Sequence, residues 1–137
     1  MPLRTSLRLW LPPLALMVVI FYLSHQPDLS SGLGIVDLVG RKLVHAAEYA
    51  LLCVLWWRAL RTVASRSAAI SMALAISVGY AATDELHQTF VPGRHGSPVD
   101  VGIDAFGAAV AAFLLRRRPE RAPAASEPAA ATASRAG

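Results

Sequence analysis

Ionisable side chains interrupt an otherwise apolar stretch of the chain at a spacing that places them on one helix face. Lys42, His45, Glu48 and Tyr49 cover an arc of about 120° at about 100° per residue. A charged group inside a membrane span costs roughly 2.5–3.5 kcal/mol on insertion scales. Such a group usually faces the interior of a helix bundle and marks a functional site.

Two later stretches carry matching polar faces. Tyr80, Asp84, His87 and Gln88 share one face, with Glu85 beside Gln88, while Asp100 and Asp104 are i, i+4 neighbours. Gly107 and Ala111 continue that last face, and small residues let a second helix approach closely. We expect the faces to converge on a single binding site, composed of Lys42, His45, Tyr49, Asp84, Glu85, Gln88, Arg94, Asp100 and Asp104.

The residue types permit acid–base chemistry as well as binding. The titration range of a histidine suits His45 to accept a proton, and Asp84 or Glu85 could donate one. The same side chains could instead lock helices together through hydrogen bonds. Adjacent helix residues point about 100° apart, so one carboxylate should be the active group and the other a partner for Lys42 or Arg94.

Metal binding by His45, His87 and the carboxylates fits their ligand types but no recognised spacing. His87 lies two residues after Glu85, which is not the H-E-x-x-H pattern. We therefore predict no metal and no cofactor. The single cysteine, Cys53, excludes an intrachain disulfide and a cysteine-based zinc site.

The composition argues against a water-soluble enzyme. Of the 137 residues, 55% are hydrophobic and 16% are charged, whereas a soluble domain has about 45–50% apolar and about 25% charged residues. The net charge of +4 is compatible with nucleic acid or a membrane surface. The arginine run at 116–118 follows an apolar block, a position typical of a topology anchor at anionic lipid, so no nucleic-acid partner is predicted.

Four hydrophobic blocks supply the elements that must position the polar residues: 9–24, 42–60, 67–83 and 101–115. The first lacks a small-x-small cleavage site and is interpreted as an uncleaved anchor. The fourth is short for a span and has a re-entrant or interfacial helix as its alternative. We predict an all-α integral membrane bundle of four transmembrane helices.

The distribution of basic residues predicts that both termini are cytoplasmic (N-in/C-in). With four spans, the outer segments hold Arg41, Lys42 and Arg94, and the other basic residues fall inside. The three polar faces then meet in the outer half of the bilayer. Residues 1–118 form the predicted membrane domain, and 119–137 an Ala-, Pro- and Arg-rich cytoplasmic tail predicted to be disordered.

Three motifs, in order, resemble those of the VanZ-like family. Residues 41–52 resemble its DK-x-x-H-x-x-x-Y-x-x-L signature, with Arg41 where the family usually has Asp. Residues 84–94 resemble its DE-x-x-Q-x-x-x-x-x-R motif, and residues 100–107 its D-x-x-x-[ND]-x-x-G element. Phe21 and Ser24 resemble the end of the family's first span. The resemblance covers about residues 9–115.

The resemblance implies a multi-pass protein of the bacterial cytoplasmic (inner) membrane with a cell-envelope role. The member that named the family is associated with low-level resistance to teicoplanin, a lipoglycopeptide. Besides membrane lipids, the implied partners are a lipid-linked cell-wall intermediate or such a drug.

Three mechanisms stay open on the sequence. In the first and favoured one, Arg41, Lys42 and Arg94 hold an anionic headgroup or drug while the spans hold its lipid chain. The second is an enzyme acting on a lipid-linked substrate. The third is a small proton-coupled carrier that uses Glu48 and Asp104.

Overall fold

The computed structural model describes residues 3–26, 34–94 and 96–119, and these form four α-helices. They are α1 (Leu3–Ser24), α2 (Ile35–Leu60), α3 (Arg66–Gln88) and α4 (Pro98–Arg117). The predicted all-α class is confirmed. The predicted tail, apart from Pro119, lies outside the described residues, as does His95.

The last two helices, α3 and α4, each begin at a serine whose side chain caps the helix. The Ser65 hydroxyl accepts a hydrogen bond from Ala68 N–H at the start of α3, and the Ser97 hydroxyl accepts one from Val99 N–H at the start of α4. Pro98 occupies the first turn of α4, where its missing N–H costs no helical hydrogen bond.

Three of the helices are long and apolar enough to cross a membrane, namely α1, α2 and α4. The fourth block, for which the sequence left a re-entrant alternative, therefore meets the length and hydropathy of a span. Among the described helices α3 falls short, because it carries Ser77, Asp84, Glu85 and Gln88. All four of those side chains are buried, whereas Ser67, Ser71 and Thr83 of the same helix are exposed.

Helix packing makes α2 the centre of the bundle. It contacts α1, α3 and α4, and its contact with α4 is the most extensive. Helix α1 packs on α2 and slightly on α3, and within the described residues it does not reach α4. The buried apolar residues of α4 are mostly alanines, which permit close helix approach.

Helices α2 and α4 approach each other closely at Gly107. A Cβ at that position would collide with the backbone of Ala46. The sequence prediction that Gly107 lets another helix approach is therefore confirmed, and this contact fixes the separation at which the polar faces of α2 and α4 meet.

Candidate functional site

The polar residues gather at one end of the bundle, where α1 and α3 end and α2 and α4 begin. Two pairs join α2 to α4 there. Lys42 Nζ forms an ion pair with Asp100 Oδ1, and one turn deeper His45 Nδ1 lies 3.7 Å from Asp104 Oδ1. The second separation exceeds a hydrogen bond. Asp104 is fully buried, and neither of its oxygens has a hydrogen-bond partner among the described residues.

Helix α3 contributes Glu85, whose carboxylate is held from two directions. Its Oε1 accepts a hydrogen bond from Gln88 Nε2 at 3.2 Å, and its Oε2 accepts one from the Ser97 N–H at 3.0 Å. The residue that caps α4 thus also orients a carboxylate of α3. The side chain of Glu85 is fixed in position although it comes from near the end of its helix.

Arg94 ties the connection between α3 and α4 to the end of α1. The connection turns at Pro92-Gly93: Arg94 N–H donates to Val91 O at 3.1 Å, and Gly93 has a φ of +80° that glycine adopts without strain. The Arg94 guanidinium donates to Gln26 O at 2.9 Å, to Leu23 O at 3.1 Å and to Gln88 Oε1 at 3.5 Å.

Asp84 faces α1 rather than the other carboxylates. The Ser24 hydroxyl donates to Asp84 Oδ2 at 2.7 Å, and Gln88 Nε2 donates to the same atom at 3.4 Å. The sequence predicted that Asp84 or Glu85 would pair with Lys42 or Arg94. Among the described contacts neither carboxylate does so. Lys42 instead pairs with Asp100, because both lie near the start of their helices on the closely packed α2–α4 face.

A cavity of about 290 Å³ opens among α2, α3, α4 and the connection after α3. Its lining combines basic and acidic side chains: Leu38, Arg41, Lys42, His45, Glu85, Gln88, Gly93, Arg94, Asp100, Ile103 and Asp104. Every predicted site residue except Tyr49 and Asp84 lines it. Of the three candidate catalytic residues, His45 and Glu85 therefore face the cavity, whereas Asp84 lies behind it.

A second cavity, of about 430 Å³, lies between α1 and α2. Its walls include Ile20, Leu23, Val36 and Val44, and it shares Arg41, His45 and Arg94 with the first cavity. We call these two spaces the polar cavity and the α1–α2 groove. The groove has the larger apolar share, although its lining also includes Asp37 and Glu48, whereas seven of the eleven residues around the polar cavity are ionisable.

Tyr49 and His87, which the sequence grouped with the other polar residues, do not line the polar cavity. Tyr49 is fully buried, with its ring centroid 6.3 Å from that of Tyr80, and its hydroxyl has no hydrogen-bond partner in the described part of the chain. His87 packs against both Phe21 and His25 near the end of α1, with its ring centroid 4.5 and 5.4 Å from theirs, and its Nε2 lies 3.2 Å from His25 Nδ1. His87 is therefore not grouped with His45.

Sequence reasoning missed two residues that shape the site. Ser24 is buried at the end of α1 and holds Asp84, and Ser97 holds Glu85 through its backbone. A signal for Ser24 was present, since it closes the first apolar block within the motif that resembles a family span. Ser97 acts through its N–H, which no side-chain pattern indicates.

Comparison with known families agrees with the motifs. Residues 9–118 match the model of the VanZ/LLP1 family, which covers all four helices except the first turns of α1. No curated protein and no solved structure matches the chain.

Proposed function

Since the chain belongs to the VanZ/LLP1 family, we propose that it is a multi-pass protein of the bacterial cytoplasmic membrane that binds an anionic lipid-linked molecule in its polar cavity. The ligand class comprises lipid-linked cell-wall intermediates and acidic lipoglycopeptides, so resistance to a drug such as teicoplanin is one form the cell-envelope role could take.

The observation that carries the proposal is the adjacency of the polar cavity and the α1–α2 groove. Arg41, His45 and Arg94 line both spaces. A phosphate or other anionic headgroup would contact the basic side chains, while its hydrocarbon chain would lie along the groove. Helix α1 exposes much of its apolar surface, so the groove would open to lipid.

The arginine and lysine side chains of the cavity can contact a ligand as well as other parts of the protein. Arg94 uses three N–H groups in its contacts with Gln26, Leu23 and Gln88, and a guanidinium has five. Lys42 is paired with Asp100 at the rim, where side chains are about one third exposed. A phosphate entering the polar cavity would exchange that pair for a charge-assisted contact with Lys42.

Basic residues at the opposite end support the proposed orientation. Arg58, Arg61 and Arg66 lie around the connection between α2 and α3, and the arginine run at 116–118 ends α4 at the same side. With all four helices crossing, this end is cytoplasmic and the polar cavity lies in the outer leaflet. Helix α3 would cross with its buried polar residues turned toward protein.

A second candidate is an enzyme acting on the same lipid-linked ligand. It is favoured by the placement of His45 and Glu85 around one cavity, with potential ligand atoms within 4.8 Å of each other. His45 would act as the base and Glu85 as the acid. The geometry supports Glu85 rather than Asp84 in that role, because Asp84 is engaged by Ser24 outside the lining.

The test uses the full chain in nanodiscs that contain phosphatidylcholine with or without a polyprenyl phosphate, followed by native mass spectrometry. We expect one polyprenyl phosphate per chain, and we expect Lys42→Gln to weaken its retention. Arg58→Gln is the matched control, because Arg58 is an exposed basic residue of α2 at the other end. Equal loss in both variants, or no retention by the unmodified chain, would contradict the proposal.

The same samples separate binding from catalysis. A retained lipid that keeps its mass on incubation supports binding alone. A His45-dependent change in lipid mass would support the enzyme.

A further inference from the structure

Asp104 is the most buried carboxylate of the polar cavity, and His45, which lies 3.7 Å from it, is beyond hydrogen-bond distance. The relative exposure of Asp104 is 0%, and both oxygens lack a hydrogen-bond partner among the residues described. The neighbouring His45 Nδ1 is also buried without a hydrogen bond in the described structure. Burying an ionised carboxylate is costly unless it is paired or coordinates a metal. The arrangement therefore points to a cationic ligand.

The spacing of the surrounding atoms fits coordination better than hydrogen bonding. His45 Nδ1 and Asp104 Oδ1 are 3.7 Å apart, and two ligands about 2.1 Å from a tetrahedral zinc ion are separated by about 3.4 Å. Glu85 supplies a third ligand atom, and one atom from each of the three side chains lies within 4.8 Å of the others. A contraction of up to about 1.4 Å in their separations would bring all three into coordination distance.

We propose that His45, Glu85 and Asp104 bind one divalent transition-metal ion, such as Zn²⁺. The ligands come from α2, α3 and α4, one from each helix. An imidazole nitrogen with carboxylate oxygens suits zinc and its neighbours better than Mg²⁺ or Ca²⁺, which favour all-oxygen sites. Three protein ligands leave one position open to the cavity, as in zinc sites that bind water or a second molecule.

The surroundings of the three ligands would orient them. Gln88 and the Ser97 N–H hold the Glu85 carboxylate, which is the role that outer hydrogen bonds play at metal sites. The tight contact of Gly107 with Ala46 fixes α2 against α4, and with it the distance between His45 and Asp104.

The charges around the site are compatible with a divalent cation. Glu85 and Asp104 would neutralise its formal charge. Among the basic residues that line the cavity, Lys42 is already paired with Asp100. The proposal goes beyond lipid binding and does not depend on it, because the three ligands are protein groups and the metal alone is the probe.

The experiment measures binding of the metal alone to the full chain in detergent, purified with a histidine-free tag and stripped with chelator. Isothermal titration with Zn²⁺ should show one ion per chain. Replacing Zn²⁺ with Co²⁺ should give a visible absorption band that reports nitrogen and oxygen ligands. His45→Ala, Glu85→Gln and Asp104→Asn should each weaken Zn²⁺ binding by more than about tenfold.

Glu48→Gln is the matched control for charge. Glu48 is a half-buried carboxylate one turn from His45 on α2, outside the three proposed ligands. The Glu48→Gln variant should bind Zn²⁺ with an affinity within about threefold of the parent if coordination, rather than local negative charge, binds the ion. Asp104→Asn retains nearly the same shape, and its helical circular dichroism and elution volume show whether it is folded. The proposal is overturned by an absence of Zn²⁺ binding, or by equal losses in Glu48→Gln and Glu85→Gln.

Discussion

The two ends of the bundle are held together by different interactions. At the end where α2 begins, charged and polar side chains meet around a cavity, and His45 Nδ1 and both Asp104 oxygens lack hydrogen-bond partners in the described structure. The buried Nε1 atoms of Trp56 and Trp57, toward the other end, also lack partners there. At the other end, Trp56 and Leu60 of α2 pack with Ile70 of α3 and Leu115 of α4. The second end is therefore packed mainly through apolar side chains, whereas the first is linked mainly through polar contacts around the cavity.

The far end also closes with hydrogen bonds that satisfy the backbone. Arg66 Nη2 donates to Leu115 O at 2.7 Å and also to Arg118 O, which ties the start of α3 to the last turn of α4. Trp10 of α1 meets Trp56 edge to face, with ring centroids 6.1 Å apart. In contrast to Asp104, the Arg66 side chain supports the terminal carbonyls of a helix that would otherwise lack partners.

Gly107 lies at the tight contact between α2 and α4, and its replacement should have the largest effect on stability. Gly107→Leu would drive a side chain into the backbone of Ala46 and separate α2 from α4. Because backbone lies in the way, we expect a loss of more than about 3 kcal/mol and little folded protein in the membrane. Membrane abundance and the detergent elution profile measure this.

Gly102→Leu is the control on the same helix. A Cβ at Gly102 meets nothing within 4 Å, so this variant should accumulate normally. If both glycine variants accumulate equally, the close α2–α4 contact does not hold the bundle together.

Truncating an apolar side chain at the far end should lower the free energy of unfolding without altering the polar cavity. Ile70→Ala removes a side chain that is 1% exposed in the far-end core. The loss should be about 2 kcal/mol, near the lower limit for such changes, because the alternative environment in a membrane is also apolar. Steric-trapping or thermal unfolding in detergent gives the value, while Zn²⁺ affinity should not change.

Met72→Ala provides the comparison for that prediction. Met72 lies on the same helix and is 45% exposed, so its truncation should change the free energy of unfolding by less than about 0.5 kcal/mol. A loss as large as that of Ile70→Ala would place the stabilising contacts outside the described core.

The sequence predicts the angular positions of side chains better than their depth. Lys42, His45 and Tyr49 do share a helix face, but Tyr49 is seven residues on and therefore about 10 Å deeper than Lys42 at about 1.5 Å per residue. It falls below the polar cavity for that reason. Periodicity fixes an angle, and only packing fixes where a cavity ends.

The sequence pattern also did not determine how α3 is rotated about its own axis. Asp84 and Glu85 are equivalent in a sequence and point about 100° apart. Packing of α3 between α2 and α4 turns Glu85 into the cavity and Asp84 toward Ser24 of α1. The order of the helices and the small contact residue Gly107 were predictable because each depends on local chemistry.

Removing the link between α3 and α4 at the far end should have a smaller effect than core truncation. Arg66→Ala deletes the donors to Leu115 O and Arg118 O. We expect a loss of about 1 kcal/mol, since terminal carbonyls near the interface can bond to water instead. Arg58→Ala, which removes an exposed arginine, should show no comparable loss in the same unfolding measurement.

Asp104→Asn should have the smallest effect on stability and in the opposite direction. It removes a buried charge that has no hydrogen bond among the described residues, and His45 can then stay neutral, so no unpaired charge is left behind. In the presence of chelator the variant should be as stable as the parent or more stable by about 1 kcal/mol. With Zn²⁺ added, only the parent should gain stability, because a ligand stabilises the folded state that binds it. A destabilised variant in chelator would mean that Asp104 is a structural clamp. The residues of the polar end, like those of the far end, would then serve to hold the helices together.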